Sequence, residues 1–495
     1  MRKAILLIFI GTVTSLAPLY AQWTQIGDDL DAEAAGDFFG YSVELSLEGS
    51  IMAVGADWND GNGNKAGHVR VFENVYGVWT QIGDDIDGEA ANDLSGRSLG
   101  LSSDGTIVAI GANRNNGGAT GSGHVRVFEN ISGVWTQIGE DIDGEAAEDN
   151  SGIAISLSSD GSVVAIGANT NEGNGANSGH VRVFENISGV WTQIGDDIDG
   201  EASGDLSGSA ISLSLDGTTI AIGAKGNDGN GSASGHVRVF ENISGVWTQI
   251  GSDIDGEAPL DQSGQSVGLN FDGSIVAIGA IYNDNVNGSE VGHVRVFENI
   301  SGVWTQIGDD IDGEATDDNF GWSLDLSFDG SILAVGAIRN DDNGNASGHL
   351  RVFKNLSGVW TQIGDDIDGE AAEDQSGNSI SLNSEGSIVA IGAFKNDGNG
   401  IDSGHVRVYN DGILALGENV TNLSLFVYPN PVKNILYINN EINITEIEIY
   451  DILGKKIVVK EGSDKQINIS RLPMGVYTVH IKTTKQTYTT KIIKN

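Results

Sequence analysis

Two recurring sets of side chains have the chemistry to hold a cation. The first is the carboxylate string Asp84-Asp85-Ile86-Asp87-Gly88-Glu89, repeated later as Asp365, Asp366, Asp368 and Glu370. Clustered carboxylate oxygens suit a hard cation such as calcium, which makes these eight acids candidate calcium ligands. A second polar string, Asn227-Asp228-Gly229-Asn230-Gly231, offers amide and carboxylate oxygens of the same kind. Neither string has the EF-hand spacing. Asp, Asn and Gly are also turn formers, so solvated turns are the plain alternative. Calcium is the one cofactor these residues suggest.

The second set is His68, His124, His180, His236, His293, His349 and His405. A metal needs several ligands at one point. One histidine per repeat, each in the same place, lies on a ring and is expected to be structural, bonding a neighbouring loop. Catalysis is not expected and no catalytic residue is assigned. An active site needs different residues in different roles at one place, whereas here the same residues recur. The departures are Trp58, Arg97, Arg114, Lys225, Tyr282, Arg339 and Lys395, several of them in loops where they would meet a partner or drift neutrally.

The elements that position these groups follow from a repeat. Trp-Thr-Gln-Ile-Gly begins at Trp23, Trp79, Trp135, Trp191, Trp247, Trp304 and Trp360, with a period of 56 residues and one step of 57. A fixed period in this range signals a solenoid, a propeller or an array. Each unit holds four β-branched runs bounded by turn residues. In the third unit these are 153–157, 163–167, 180–184 and 191–194, a strand pattern. Asp160-Gly161 is a tight turn, and 186–189 turns the third run into the fourth. The seven tryptophans are expected to be packing anchors.

Four strands repeated seven times predict an all-β fold: a seven-bladed β-propeller. An open β-solenoid is the alternative. The first unit begins with the Trp23 run and the last ends at Val406-Arg407-Val408-Tyr409, an offset of one strand. Residues 23–26 are therefore expected to pair with 405–409 and close the ring, removing an open edge. The rival for that edge is 413–416. Phe39-Gly40-Tyr41-Ser42 and Phe320-Gly321-Trp322-Ser323, each followed by Ala-Val-Gly-Ala, resemble the FG-GAP repeat of integrin α-subunit propellers and their bacterial relatives. The resemblance implies a seven-bladed binding propeller. The family's calcium loop joins the first two strands. Here that connection is only Ser159-Asp160-Gly161-Ser162, too short for the usual ligand set, so that site is not carried over.

The charge divides the chain. The whole carries 26 basic and 69 acidic residues, a net charge of −43, with 71 glycines and no cysteine. Without cysteine there is no disulfide framework and no thiolate site. Such acidity argues against nucleic acid and anionic membranes as partners. From Gly412 onward there are 10 basic and 7 acidic residues, which leaves about −48 on the repeats. Arg2-Lys3, an apolar run and Ala21 read as a secretory signal peptide over residues 1–21. No run is long enough for a transmembrane helix.

After about residue 423 the pattern changes to alternating strands with Gly and Pro turns, a small Ig-like β-sandwich. Tyr428-Pro429-Asn430-Pro431, Tyr450-Asp451 with Gly454-Lys455, Leu472-Pro473 with Gly475 and Tyr477, and Lys491-Ile492-Ile493 closely resemble the type A C-terminal sorting domain of the type IX secretion system of Bacteroidota. The resemblance implies export across the outer membrane, with the secretion machinery as a partner. An ordinary Ig-like adhesion module is the alternative. The expected layout is a signal peptide at 1–21, the propeller at 22–411, a linker at 412–423 and the sorting domain at 424–495. The expected function is a secreted or cell-surface, non-catalytic binding or adhesion protein for an unidentified glycan or protein ligand. A polysaccharide-active enzyme and a passive acidic matrix component are the alternatives.

Overall fold

The computed structural model describes residues 22–412 and, in the C-terminal unit, 426–428, 435–439, 444–450, 455–461, 466–473, 475–483 and 487–494. The expected signal peptide and the rival segment 413–416 lie outside the described residues. The chain separates into two compact units, Met1–Ile413 and Leu414–Asn495. Every regular element among the described residues is a strand, and no helix there is long and apolar enough to cross a membrane.

The first complete sheet shows the design of all seven. Phe39–Leu45, Ile51–Ala56 and His68–Val75 run antiparallel from the inside outward. Two further pieces, Val78–Gln81 and Ile86–Asp87, both pair antiparallel with His68–Val75. The expected fourth strand is thus one outer strand broken in two. The acidic string runs from that break, at Asp84 and Asp85, through the second strand piece and on into the turn at Glu89. Gly83 makes the break possible. Its φ is +74° and a Cβ there would lie 2.7 Å from the Gly133 carbonyl of the next blade, so only glycine fits. The third strand also runs further than its apolar run suggests. His180–Ile187 continues to a two-residue turn at Ser188 and Gly189, with φ of 57° and 86°. Positive φ at both positions is the hairpin turn that matches the twist of the strands.

Seven such five-stranded sheets lie among the described residues, and a ring of backbone hydrogen bonds joins them. Leu47 N–H donates to Ser103 O, Ser103 to Ser159, Ser159 to Leu215, Leu215 to Phe271, Phe271 to Phe328, Phe328 to Ser384, and Ser384 back to Leu47, all at 2.8–3.0 Å. Seven blades therefore close on themselves around one axis. The seam is the expected clasp. Thr24 and Gln25 pair with Asn410 and Tyr409, Ile26 N–H donates to Val408 O at 2.7 Å, and Leu30 and Asp31 pair with Val406 and His405.

The apolar cores sit between blades. In one of them Val69, Val71 and Ile86 of one blade meet Leu99, Leu101, Val108, Ile110 and Phe128 of the next. Alternate residues of each sheet thus find a partner on both faces, and burial of this apolar surface holds the blades together. Gly55 of the Val-Gly-Ala run is required by closeness: a Cβ would stand 2.2 Å from the Gly96 carbonyl of the adjoining inner strand.

Among its described residues, the C-terminal unit contains a three-stranded and a four-stranded sheet. Leu436, Ile447, Ile449, Ile467, Ile469, Tyr477, Val479, Ile481 and Ile492 form its core, with Leu472 packed against it.

Candidate functional site

Where the repeat departs from itself, the structure gathers the departures at one end of the axis. The residue after the glycine that opens each inner strand differs in every blade: Tyr41, Arg97, Ile153, Ser209, Gln265, Trp322 and Asn378. Six of them, all but Ser209, line a depression of about 250 Å³ at the mouth of the ring. The Arg97 guanidinium lies 4.1 Å over the Tyr41 ring and donates to Asp57 Oδ2 at 3.0 Å. Lys225 Nζ donates to Gln265 Oε1 at 3.0 Å. Trp322 Nε1 donates to Asn378 Oδ1 at 3.2 Å, and Asn378 Nδ2 donates to the Tyr41 carbonyl at 2.8 Å.

An aromatic flank adjoins the mouth. Phe38 stacks on Trp58 at 4.3 Å, Phe394 meets Phe38 and Tyr41 edge-on, and Lys65 Nζ sits 3.2 Å over the Trp58 ring. Burial pushes the Tyr41 hydroxyl up to about 12, against the pull of Arg97. Burial also pushes Asp57 up to about 6 although Arg97 opposes it, and lowers Lys225. Aromatic faces beside fixed amides and a guanidinium fork are groups able to stack on flat rings and to donate or accept directional hydrogen bonds.

Of the residues singled out in sequence, Trp58, Arg97, Lys225 and Lys395 lie around this mouth, Lys395 Nζ being 5.6 Å from the Phe394 ring. Arg114 pairs instead with the exposed Glu148 at 3.2 Å. Tyr282 and Arg339 follow the second strands of their blades. Sequence reasoning missed Gln265, Trp322 and Asn378. Their signal was present: they occupy a position that carries a different residue in each of the seven repeats.

Two further one-off residues lie deeper in the channel. Glu44 and Asp325 stand where other blades carry Gly100, Ser156, Ser212, Gly268 and Ser381. Asp325 Oδ2 accepts from Leu382 N–H at 2.7 Å, the place taken by a serine hydroxyl when Ser381 Oγ accepts from Leu45 N–H at 2.9 Å. Both carboxyls are ringed by protein and half-buried in the channel wall. Burial raises Asp325 to about 7 and Glu44 well above its ordinary value, with Asp325 adding to the rise at Glu44.

The repeated groups meet at the blade junctions, on the same end of the sheets as the mouth. Phe39 pairs with Ala56, Ala56 with His68, and His68 with Asp87, so the histidine row lies level with the start of the inner strand. Histidine Nδ1 faces a carboxylate in every blade, at 3.7–4.0 Å. At several junctions a glutamate from the preceding blade joins it: Glu89 with His124 and Asp141, Glu145 with His180 and Asp197, Glu370 with His405 and Asp29. The expected histidine–loop hydrogen bonds are not found among the described residues; each imidazole faces a carboxylate instead. Convergence happens across a junction rather than around the axis. Burial is the main cause that pushes His124 down to about 4, helped by Arg126, so its imidazole is neutral at pH 7.

The eight calcium candidates divide accordingly. Asp85, Glu89, Asp366 and Glu370 stand against histidines. Asp84 and Asp365 are exposed. Asp87 and Asp368 give their backbone carbonyls to Arg126 and Arg407 at 2.6 Å. The second polar string is a wired turn: Asn227 Oδ1 accepts from Gly229 N–H, and Asn230 Nδ2 donates to Gly256 O and Glu257 O.

In the C-terminal unit Tyr477 Oη donates to Pro473 O at 2.8 Å, which ties the turn before its strand to the core. Tyr428, Gly475 and Lys491 lie in strands, and Lys455 immediately precedes one. Pro429, Asn430, Pro431 and Gly454 lie outside the described residues. Residues 426–495 match the secretion system C-terminal sorting domain. The C-terminal unit is a type IX sorting domain. Its presence marks the chain for export to the cell surface or beyond it, through the secretion machinery that reads the domain. Residues 31–72 and 311–353 match the FG-GAP repeat, so the blades carry that repeat.

No curated protein matches the chain significantly. Among solved structures, a protein proposed to be a 6-phosphogluconolactonase of Bacteroides uniformis is 13% identical, with a TM-score of 0.48, covering 68% of this chain and 88% of its own. The periplasmic gluconolactonase PpgL of Pseudomonas aeruginosa is 16% identical, with a TM-score of 0.46, over 67% and 85%. PorZ, a surface component of the type IX system of Porphyromonas gingivalis, is 13% identical, with a TM-score of 0.42, over 93% and 60%. None of the three carries an activity over to this chain.

Proposed function

We propose that the ring is a non-catalytic binding module, carried outside the cell by its sorting domain, and that its ligand is a glycan or a protein met at the mouth. The observation that supports this reading is the cluster of Tyr41, Arg97, Trp322 and Asn378. Each of these side chains is held by a neighbour, so little conformational freedom is lost when a ligand docks. Stacked rings offer flat apolar faces, and the guanidinium and amides supply directional bonds at their edges. The test is a glycan array and a surface-protein panel probed with the purified chain. Arg97→Ala and Trp322→Ala should each weaken the retained ligand at least about tenfold, the scale of one lost anchor. Unchanged binding by both variants would overturn the assignment of the mouth.

A polysaccharide-active enzyme is the second reading, favoured by the raised carboxyls of Glu44 and Asp325, since perturbed acids cluster at active sites. It requires hydrolysis of a polysaccharide that Asp325→Asn abolishes.

A further inference from the structure

We propose that the blade junctions are binding sites for a borderline divalent transition metal such as zinc, each built from a histidine, an aspartate and a glutamate, and that these ions staple adjacent blades. The inference is independent of the ligand at the mouth.

His124 carries the argument. Its side chain is 1% exposed, and neither ring nitrogen has a hydrogen-bond partner. A buried polar atom left unpaired is costly and calls for an explanation. Its Nδ1 is aimed at Asp141 Oδ2, 3.7 Å away, and at Glu89 Oε2, 4.0 Å away. These separations are too long for hydrogen bonds. They are close to the spacing of two ligand atoms on one ion, roughly 3.4 Å for metal bonds of about 2.1 Å in a tetrahedral site. All three donor atoms lie within 4.8 Å of one another, and a small rotation of the half-exposed Glu89 closes the set.

The other atoms of the two carboxylates are already held. Gln137 Nε2 donates to Asp141 Oδ1 at 2.7 Å, which leaves Oδ2 to face the histidine. Arg126 Nη1 stands 3.9 Å from Glu89 Oε1, and Arg126 Nη2 is anchored on the Asp87 carbonyl at 2.6 Å. Outer partners of this kind orient metal ligands. His349 repeats the pattern. It is buried, both nitrogens are unpartnered, and Glu314, Asp342 and Asp366 surround it.

The donor set selects the metal. Calcium takes oxygen ligands, whereas imidazole with carboxylates suits zinc and its neighbours. At the seam the three donors come from both ends of the ring: Asp29 from the N-terminal strand, Glu370 and His405 from the last repeats. An ion there fastens the clasp.

The experiment strips the purified full chain with a chelator, then adds zinc alone, cobalt alone or calcium alone. Bound metal is read by dialysis with elemental analysis, and cobalt coordination by its visible spectrum. Several zinc equivalents per chain are expected, together with cobalt bands of low-coordinate N/O ligation and no comparable calcium. Glu89→Gln alters a half-exposed side chain, so the metal-free melting curve should be unchanged while about one equivalent is lost. Asp29→Asn should lose one equivalent and reduce the zinc-induced rise in melting temperature. Zinc that stays at background overturns the proposal. So does a stoichiometry unmoved by both Glu89→Gln and Asp29→Asn, or calcium held more tightly than zinc.

Discussion

Trp23 Nε1 donates to the Ile363 carbonyl at 3.1 Å, joining residues 340 positions apart in the chain. Trp135 makes the same bond to Ile82 at 2.9 Å, and Trp191 makes it to Ile138 at 2.8 Å, each across 53 positions. The indole is therefore the inter-blade fastener, and Trp23 is the copy that closes the ring. Trp23 is 9% exposed and packs among Leu350, Val352, Ile380 and Tyr409. Trp23→Ala should cost about 3 kcal/mol in urea unfolding. It should also free the N-terminal strand for early proteolysis, while Trp191→Ala leaves that strand protected.

Asp325 gives the chain a pH signature. Its folded-state value is raised to about 7 from an ordinary 3.8. The folded state thus holds the proton more tightly than the unfolded state does, and stability falls as pH rises from about 4 to about 7. Asp325→Ser restores the repeat's own serine and removes the charge. It should stabilise the chain by about 2 kcal/mol at pH 8, a figure discounted for the partial exposure of the carboxyl, and make no difference near pH 3. Paired urea titrations at the two pH values measure it.

The repeats carry about −48 charges, and self-repulsion weakens a compact state. Sodium chloride should raise the melting temperature by screening. Calcium at equal ionic strength should add nothing, because Asp84 and Asp365 are exposed and the converging acids face histidine rather than more oxygen. A calcium-specific rise that vanishes on Asp365→Asn with Asp368→Asn would refute this.

Deleting residues 414–495 should leave the ring folded, since its cores are built from residues between Trp23 and Tyr409. The truncated chain should accumulate in the periplasm. Fractionation with a circular dichroism spectrum of the retained protein decides it, and normal delivery of the shortened chain to the surface would count against the tail as the export signal.

The repeat, the all-β fold and the sorting tail were legible because each rests on local pattern, and the clasp because the first and last repeats are offset by one strand. A 56-residue period needs no partner to be seen, and Gly-containing turns announce strand ends through their own φ. The broken outer strand was not legible. Gly83 reads as an ordinary turn glycine, and only the Gly133 carbonyl of the next blade shows why the strand bulges there.

Tyr41, Arg97, Trp322 and Asn378 are spread over some 340 positions, and the sequence alone marks them only as mismatches between repeats. Ring closure makes them neighbours. The same holds for Glu89, His124 and Asp141, which come from two blades and meet because the blades pack side by side. The period determined what each blade is, and the motifs of the tail, through their resemblance to a sorting domain, told where the chain is sent. Which side chains face one another was decided by the tertiary structure, because that depends on how the blades pack around the axis and not on any spacing within one repeat.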